Sequence, residues 1–147
     1  MKLEKAMPRS VLALALSVAL GRCGAASPEA PVPVLLGEEF ELRPGQAVVV
    51  TDEDLQITFE GIANDSRCPT GVVCIWEGDA TARLRVRLGG SESEMELHTN
   101  PSSAQRATVG GYQVALLRVA PYPTAGQSIP AGDYRATLEV TRGVSQR

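Results

Sequence analysis

Three cysteines, one histidine and one tryptophan carry most of the distinctive chemistry open to this chain. Cys68 and Cys74 enclose Pro69-Thr70-Gly71-Val72-Val73, a span short enough for a disulfide across a reversing turn, with Pro69 and Gly71 supplying the reversal. In the chain-entropy picture, closing a loop of about seven residues stabilises a fold by roughly 2–2.5 kcal/mol. Two other thiol chemistries fit the spacing less well. The C-x-x-C of a redox pair is absent, and no neighbouring ligands complete a zinc site. Asp65, Ser66 and Arg67 stand just before the pair, and Trp76 and Glu77 just after it. Asp65 can accept local backbone N–H groups, as in an Asx turn. Arg67 can pair with Asp65 or Glu77, or stack on Trp76. The stretch from Asp65 to Ala80 therefore reads as a disulfide-pinned corner against which the rest of the domain packs, with the Trp76 ring buried on the staple. An exposed ring would instead be a recognition anchor. Asp65, Arg67, Trp76 and Glu77 are the candidate recognition corner.

Catalytic patterns are sparse. His98 is the sole imidazole and reads as a polar strand position facing solvent. A blue-copper site needs two histidines. Serines and carboxylates are plentiful but show no catalytic spacing, which leaves only a site built from Asp, Glu and Arg. The acidic run Thr51-Asp52-Glu53-Asp54 lacks the spaced ligands and glycine of an EF-hand and reads as a solvated turn. No enzyme activity, metal or other cofactor is expected. The balance of 14 basic against 17 acidic residues provides no cationic field, so no nucleic-acid partner is expected.

The elements that position the corner begin after a leader. Lys2, Lys5 and Arg9 precede an apolar run, Val11 to Leu20, which covers about half of a ~30 Å hydrocarbon core. That length suits a signal peptide and is too short to span. Two exits are open. Leu20-Gly21-Arg22-Cys23 resembles a bacterial lipobox, with Arg22 where a small residue is usual; lipid on Cys23 would be the only membrane contact. Ordinary cleavage after Ala26 is the rival. Either exit leaves Cys68 and Cys74 as an even pair in an oxidising compartment. The expected organisation is a signal peptide over 1–22 (or 1–26), a Pro/Ala-rich tether over 23–36, a β-domain over 37–142 and a tail over 143–147.

Within the domain, Val48-Val49-Val50 suits an interior strand, and Leu55, Ile57 and Phe59 alternate with polar residues on a half-buried one. Beyond the corner, Ala82, Leu84, Val86 and Leu88 alternate with Arg83, Arg85 and Arg87. Gly89-Gly90 follows, then Glu92, Glu94 and Glu96 alternate with Ser93, Met95 and Leu97. A two-residue Gly-Gly loop specifies a tight hairpin that sets Arg87 opposite Glu92, Arg85 opposite Glu94 and Arg83 opposite Glu96. A slip of one residue would break the charge pairs and the apolar face together. Asn100 to Gly111 reads as a long loop, followed by strands over Tyr112–Ala120 and Tyr134–Val140. With about seven strand-like runs and no amphipathic helix, the expected fold is an all-β antiparallel sandwich of immunoglobulin-like architecture, with a small open barrel as the alternative.

The run Asp65-Ser66-Arg67-Cys68-Pro69, four residues, then Cys74-x-Trp76-x-Gly78-x-Ala80 resembles a signature of small bacterial exported proteins and lipoproteins of unassigned function. The resemblance spans Gly37 to Thr141 and implies export, a disulfide and a β-domain; it brings no activity with it. Together these readings lead to the expectation of a non-enzymatic cell-envelope module that binds a protein or glycan, or else a secreted inhibitor using the stapled loop Pro69–Val73 as a preorganised insert.

Overall fold

A computed structural model describes residues 29–143. The leader, Cys23 with its proposed lipid, and the tail from 144 lie outside those residues.

The described chain forms nine strands: β1 (Val32–Val34), β2 (Glu39–Leu42), β3 (Ala47–Val50), β4 (Leu55–Asp65), β5 (Ala80–Leu88), β6 (Ser91–His98), β7 (Arg106–Val109), β8 (Tyr112–Ala120) and β9 (Arg135–Arg142). One sheet has the order β1-β3-β4-β5-β6, the other β2-β9-β8-β7. All pairs are antiparallel except β1 with β3. The two sheets close over one core that joins Ile57, Phe59, Leu84 and Leu97 of the first to Leu42, Val114, Leu138 and Val140 of the second. The fold is an all-β sandwich, and the described strands do not close into a barrel.

Alternation explains why these runs are strands. In β5, Leu84 and Val86 are wholly buried while Arg83, Arg85 and Arg87 stand in solvent. The β5–β6 register is the one that the Gly-Gly turn dictates, with Arg87 opposite Glu92, Arg85 opposite Glu94 and Arg83 opposite Glu96. Gly89 and Gly90 both have positive φ, 55° and 79°, as a primed hairpin turn demands. Side chains follow the register with one exception. Arg87 pairs with Glu92 at 2.9 Å and Arg83 with Glu96 at 3.4 Å, but Arg85 turns to Glu60 on β4 and lies 3.6 Å from Glu92. An interior strand has two neighbours, and the carboxylate on the far side wins.

Three departures from the sequence reading have tertiary causes. Val32–Val34, assigned to the tether, is a strand, because the exposed edge of β3 offers it a parallel partner. The expected loop over Asn100–Gly111 contains β7, whose Ala107 and Val109 face the core and whose turn, Gly110-Gly111, repeats the Gly89-Gly90 device. The acidic turn after β3 is only partly solvated: Glu53 folds back to the Tyr112 hydroxyl and to Arg142, which also lies over the Tyr112 ring at 5.3 Å.

Candidate functional site

The corner is the far end of the β4–β5 hairpin. Pairing continues past the Asp65–Ala80 register: Ser66 donates its N–H to the Asp79 carbonyl at 2.7 Å, and Cys68 donates to the Glu77 carbonyl at 2.9 Å. Two register shifts in β4, near Gly61 and Asn64, precede this extension. Bulges of that kind twist and bend a strand, and the extended end meets the connection between β8 and β9. There Thr70 forms a bridge with Thr124. Gly78 is required by its surroundings. Its φ is +71°, and a Cβ would fall on the Ser66 carbonyl. Ala80 is wholly buried.

Arg67 fastens the hairpin to the opposite sheet. Its Nε and one terminal nitrogen grip both oxygens of Asp65 at 2.8 and 2.7 Å. Its terminal nitrogens also donate to the carbonyls of Val119 at 2.6 Å and Pro121 at 2.9 Å. The guanidinium lies over the Tyr122 ring, 5.2 Å from its centroid, and Tyr134 donates its hydroxyl to Asp65 at 3.0 Å. Only 6% of the Arg67 side chain and 10% of that of Asp65 reach solvent. A charge pair so deeply removed from water is tolerable when its donors and acceptors are matched this fully. Burial opposes ionisation of Asp65, but the hydrogen bonds and charge of Arg67 outweigh it and hold the carboxyl below its ordinary pKa. Burial and the bond to Asp65 push the Tyr134 phenol upward.

Asp79 forms a second brace. One carboxylate oxygen accepts the backbone N–H groups of Thr99 and Asn100, each at 3.0 Å, and the other meets His98 Nδ1 at 2.6 Å. Asn100 returns a bond to the Gly78 carbonyl at 2.9 Å. Burial raises the Asp79 pKa, while the bonds from His98 and Asn100 more than offset this and leave it lowered. His98 is thus half-buried and partnered, where the sequence reading faced it to solvent. Thr81 Oγ1 is also near His98, at 3.4 Å, but from the same Nδ1 that meets Asp79. A nucleophile–base–acid relay uses both ring nitrogens; this cluster uses one and acts as a brace.

Beyond the two braces the hairpin tip projects, closed by the Cys68–Cys74 disulfide. Here the expectation of a buried indole is overturned. Trp76 is 79% exposed, Ile75 89% and Val73 102%, and Val72 is half exposed. The braces hold the hairpin by polar groups on its stem, and none of the described residues lies above the tip to cover the ring. The four corner residues therefore separate. Asp65 and Arg67 are buried in the stem, whereas Trp76 and Glu77 lie at the exposed tip. The cation stacks on Tyr122 and pairs with Asp65, and forms neither an ion pair with Glu77 nor a stack on Trp76. Tyr122, Tyr134 and Asp79 are the members that sequence reasoning missed, and His98 the one that it misplaced; the tyrosines reach the corner from the β8–β9 connection, for which no local signal exists. Among the described residues no group of His, Cys, Asp and Glu is placed to hold a metal ion.

The fold and site define a β-sandwich domain bearing a disulfide-stapled, apolar hairpin tip on a buried arginine lock. No family model, curated protein or solved structure matches this chain.

Proposed function

We propose that this protein is an exported cell-envelope module that acts by binding and not by catalysis, with the stapled hairpin tip as its contact surface. The observation that carries the reading is the contrast between stem and tip. A buried ion pair and a carboxylate brace immobilise the stem, yet the tip presents Val73, Ile75 and Trp76 to water. Exposed apolar groups on a preorganised scaffold lose little entropy on association, and tryptophan is the side chain most enriched among binding anchors. The leader composition and the disulfide support export, and lipid on Cys23 would place the module at a membrane surface. A protein or glycan of the envelope is the partner class.

The test is capture from envelope extract by the mature protein and by Trp76→Ala. The indole touches little of its own fold, so the variant keeps its stability and loses its partner. A variant that retains every partner removes the tip as the contact surface. Inhibition is a second reading, favoured by the rigid loop Pro69–Val73. It predicts inhibition of at least one enzyme of a protease panel at micromolar protein, and no inhibition across the panel removes it. Mass spectrometry of the mature N-terminus decides between lipid on Cys23 and cleavage after Ala26.

A further inference from the structure

Strand directions set where the chain enters the domain. β4 runs toward the tip, β3 runs antiparallel to β4, and β1 runs parallel to β3. β1 therefore starts on the tip side, and the chain before Val32 arrives from the end of the sandwich where the hairpin projects. The C-terminal end of β9 leaves from the opposite end, beside the β7–β8 turn. Val32 is level with Val48, and Val48 with Ile57. From Ile57 along β4 to Cys68 is about 35–37 Å of extended strand. Cys23 and Val32 are separated by the eight residues Gly24 to Pro31, a stretch that spans at most about 32 Å. Even fully extended, that segment is no longer than the distance from Val32's level to the tip, so an anchor on Cys23 keeps the tip end of the sandwich at the surface that holds the anchor.

The chemistry of the tip agrees with that placement. Between Thr70 and Glu77 the only charge is Glu77, and the large apolar side chains, Val72, Val73, Ile75 and Trp76, are all exposed. Indole rings settle at the headgroup level of bilayers, with aliphatic neighbours just below. A second copy meeting tip to tip would be held by only four apolar side chains from each partner, against the roughly 20–30 residues a side of a stable interface. We propose that the stapled tip seats in the headgroup–acyl boundary of a lipid bilayer, making a second foothold beside the lipid on Cys23 and standing the sandwich end-on. The assignment rests on the tip being the contact surface and names the bilayer, in place of a protein or glycan, as what it contacts. Apolar area drives the seating. It is therefore insensitive to salt and gains nothing from anionic lipid.

Trp76 is the sole tryptophan, so fluorescence reports on the tip alone. The mature protein, made from the full chain, is mixed with vesicles of phosphatidylcholine and of phosphatidylcholine with phosphatidylglycerol. The expected result is emission shifted to shorter wavelength in both, quenching by brominated acyl chains, and no loss at high salt. Ile75→Ser and Val73→Ser each weaken partitioning by about tenfold, as withdrawal of one aliphatic side chain from an apolar phase implies, with unchanged circular dichroism. Unshifted emission and no quenching, while Trp76-dependent capture of an envelope protein persists, overturns the bilayer and keeps the tip as a contact surface. Loss of both signals overturns both. Partitioning that needs anionic lipid and vanishes in salt also overturns the proposal.

Discussion

Arg67 holds the carboxylate of Asp65, two residues back, through both oxygens, and the same guanidinium reaches the Val119 carbonyl on the other sheet and the Pro121 carbonyl just past the end of that strand. A local pair has thereby become the bond between the two sheets at the tip end. Removing one member leaves a buried charge without its partner. Arg67→Ala and Asp65→Ala are each expected to cost about 3–5 kcal/mol, and Arg67→Lys a large part of that, because an ammonium cannot grip two oxygens in parallel. Urea denaturation of the three variants measures this. A cost under ~1 kcal/mol for Arg67→Ala would show that the lock does not bind the sheets together.

Acid should release both braces. Asp65 and Asp79 have folded pKa values below their ordinary 3.8. The unfolded chain therefore binds more protons as pH falls, and the stability that they contribute is complete above about pH 4 and is lost as pH drops through the folded values. Denaturation midpoints from pH 6 down to pH 2 should fall steeply below about pH 4. Asp65→Asn, less stable at neutral pH, should show a shallower fall. An unchanged slope in that variant would place the acid sensitivity elsewhere.

The tight crossing at Gly78 makes a sharp prediction. Gly78→Ala puts a side chain in left-handed backbone and onto the Ser66 carbonyl. The conformational strain alone is about 1–2 kcal/mol, and the clash adds to it by prising apart the hairpin stem. Gly132→Ala, where nothing lies within 4 Å and φ is ordinary, should stay within about 0.5 kcal/mol of wild type. Thermal unfolding of the two variants side by side tests the contrast.

The disulfide closes a small loop at the periphery. Cys68→Ser with Cys74→Ser should lower stability by no more than about 2.4 kcal/mol and leave the β-rich circular dichroism unchanged, because Cys68 N–H to Glu77, the Thr70–Thr124 bridge and the arginine lock remain. Thiol titration of the mature, denatured protein should find Cys68 and Cys74 unreactive until a reductant is added. Free thiols at those positions would remove the staple from the account.

Much of the molecule was legible along the chain. Period-two alternation with Gly89-Gly90 specified the β5–β6 hairpin to the residue, since side-chain facing and turn type are local properties. The spacing of Cys68 and Cys74 anticipated their bond. The same local signal was present before Gly110-Gly111 but was obscured by the polar residues that start that segment.

What the amino-acid order alone determined was an all-strand domain with a stapled reversal between two of its strands, because backbone propensity, alternation and loop closure act over a few residues. Tertiary structure decided which side of that reversal faces water. Arg67 found its carbonyl partners 52 and 54 residues away, Asp65 its tyrosine 69 residues away, and His98 its carboxylate across 19 residues. Those long-range bonds consume the polar stem and leave Trp76 uncovered by the described residues, an outcome that no pattern of neighbouring residues encodes.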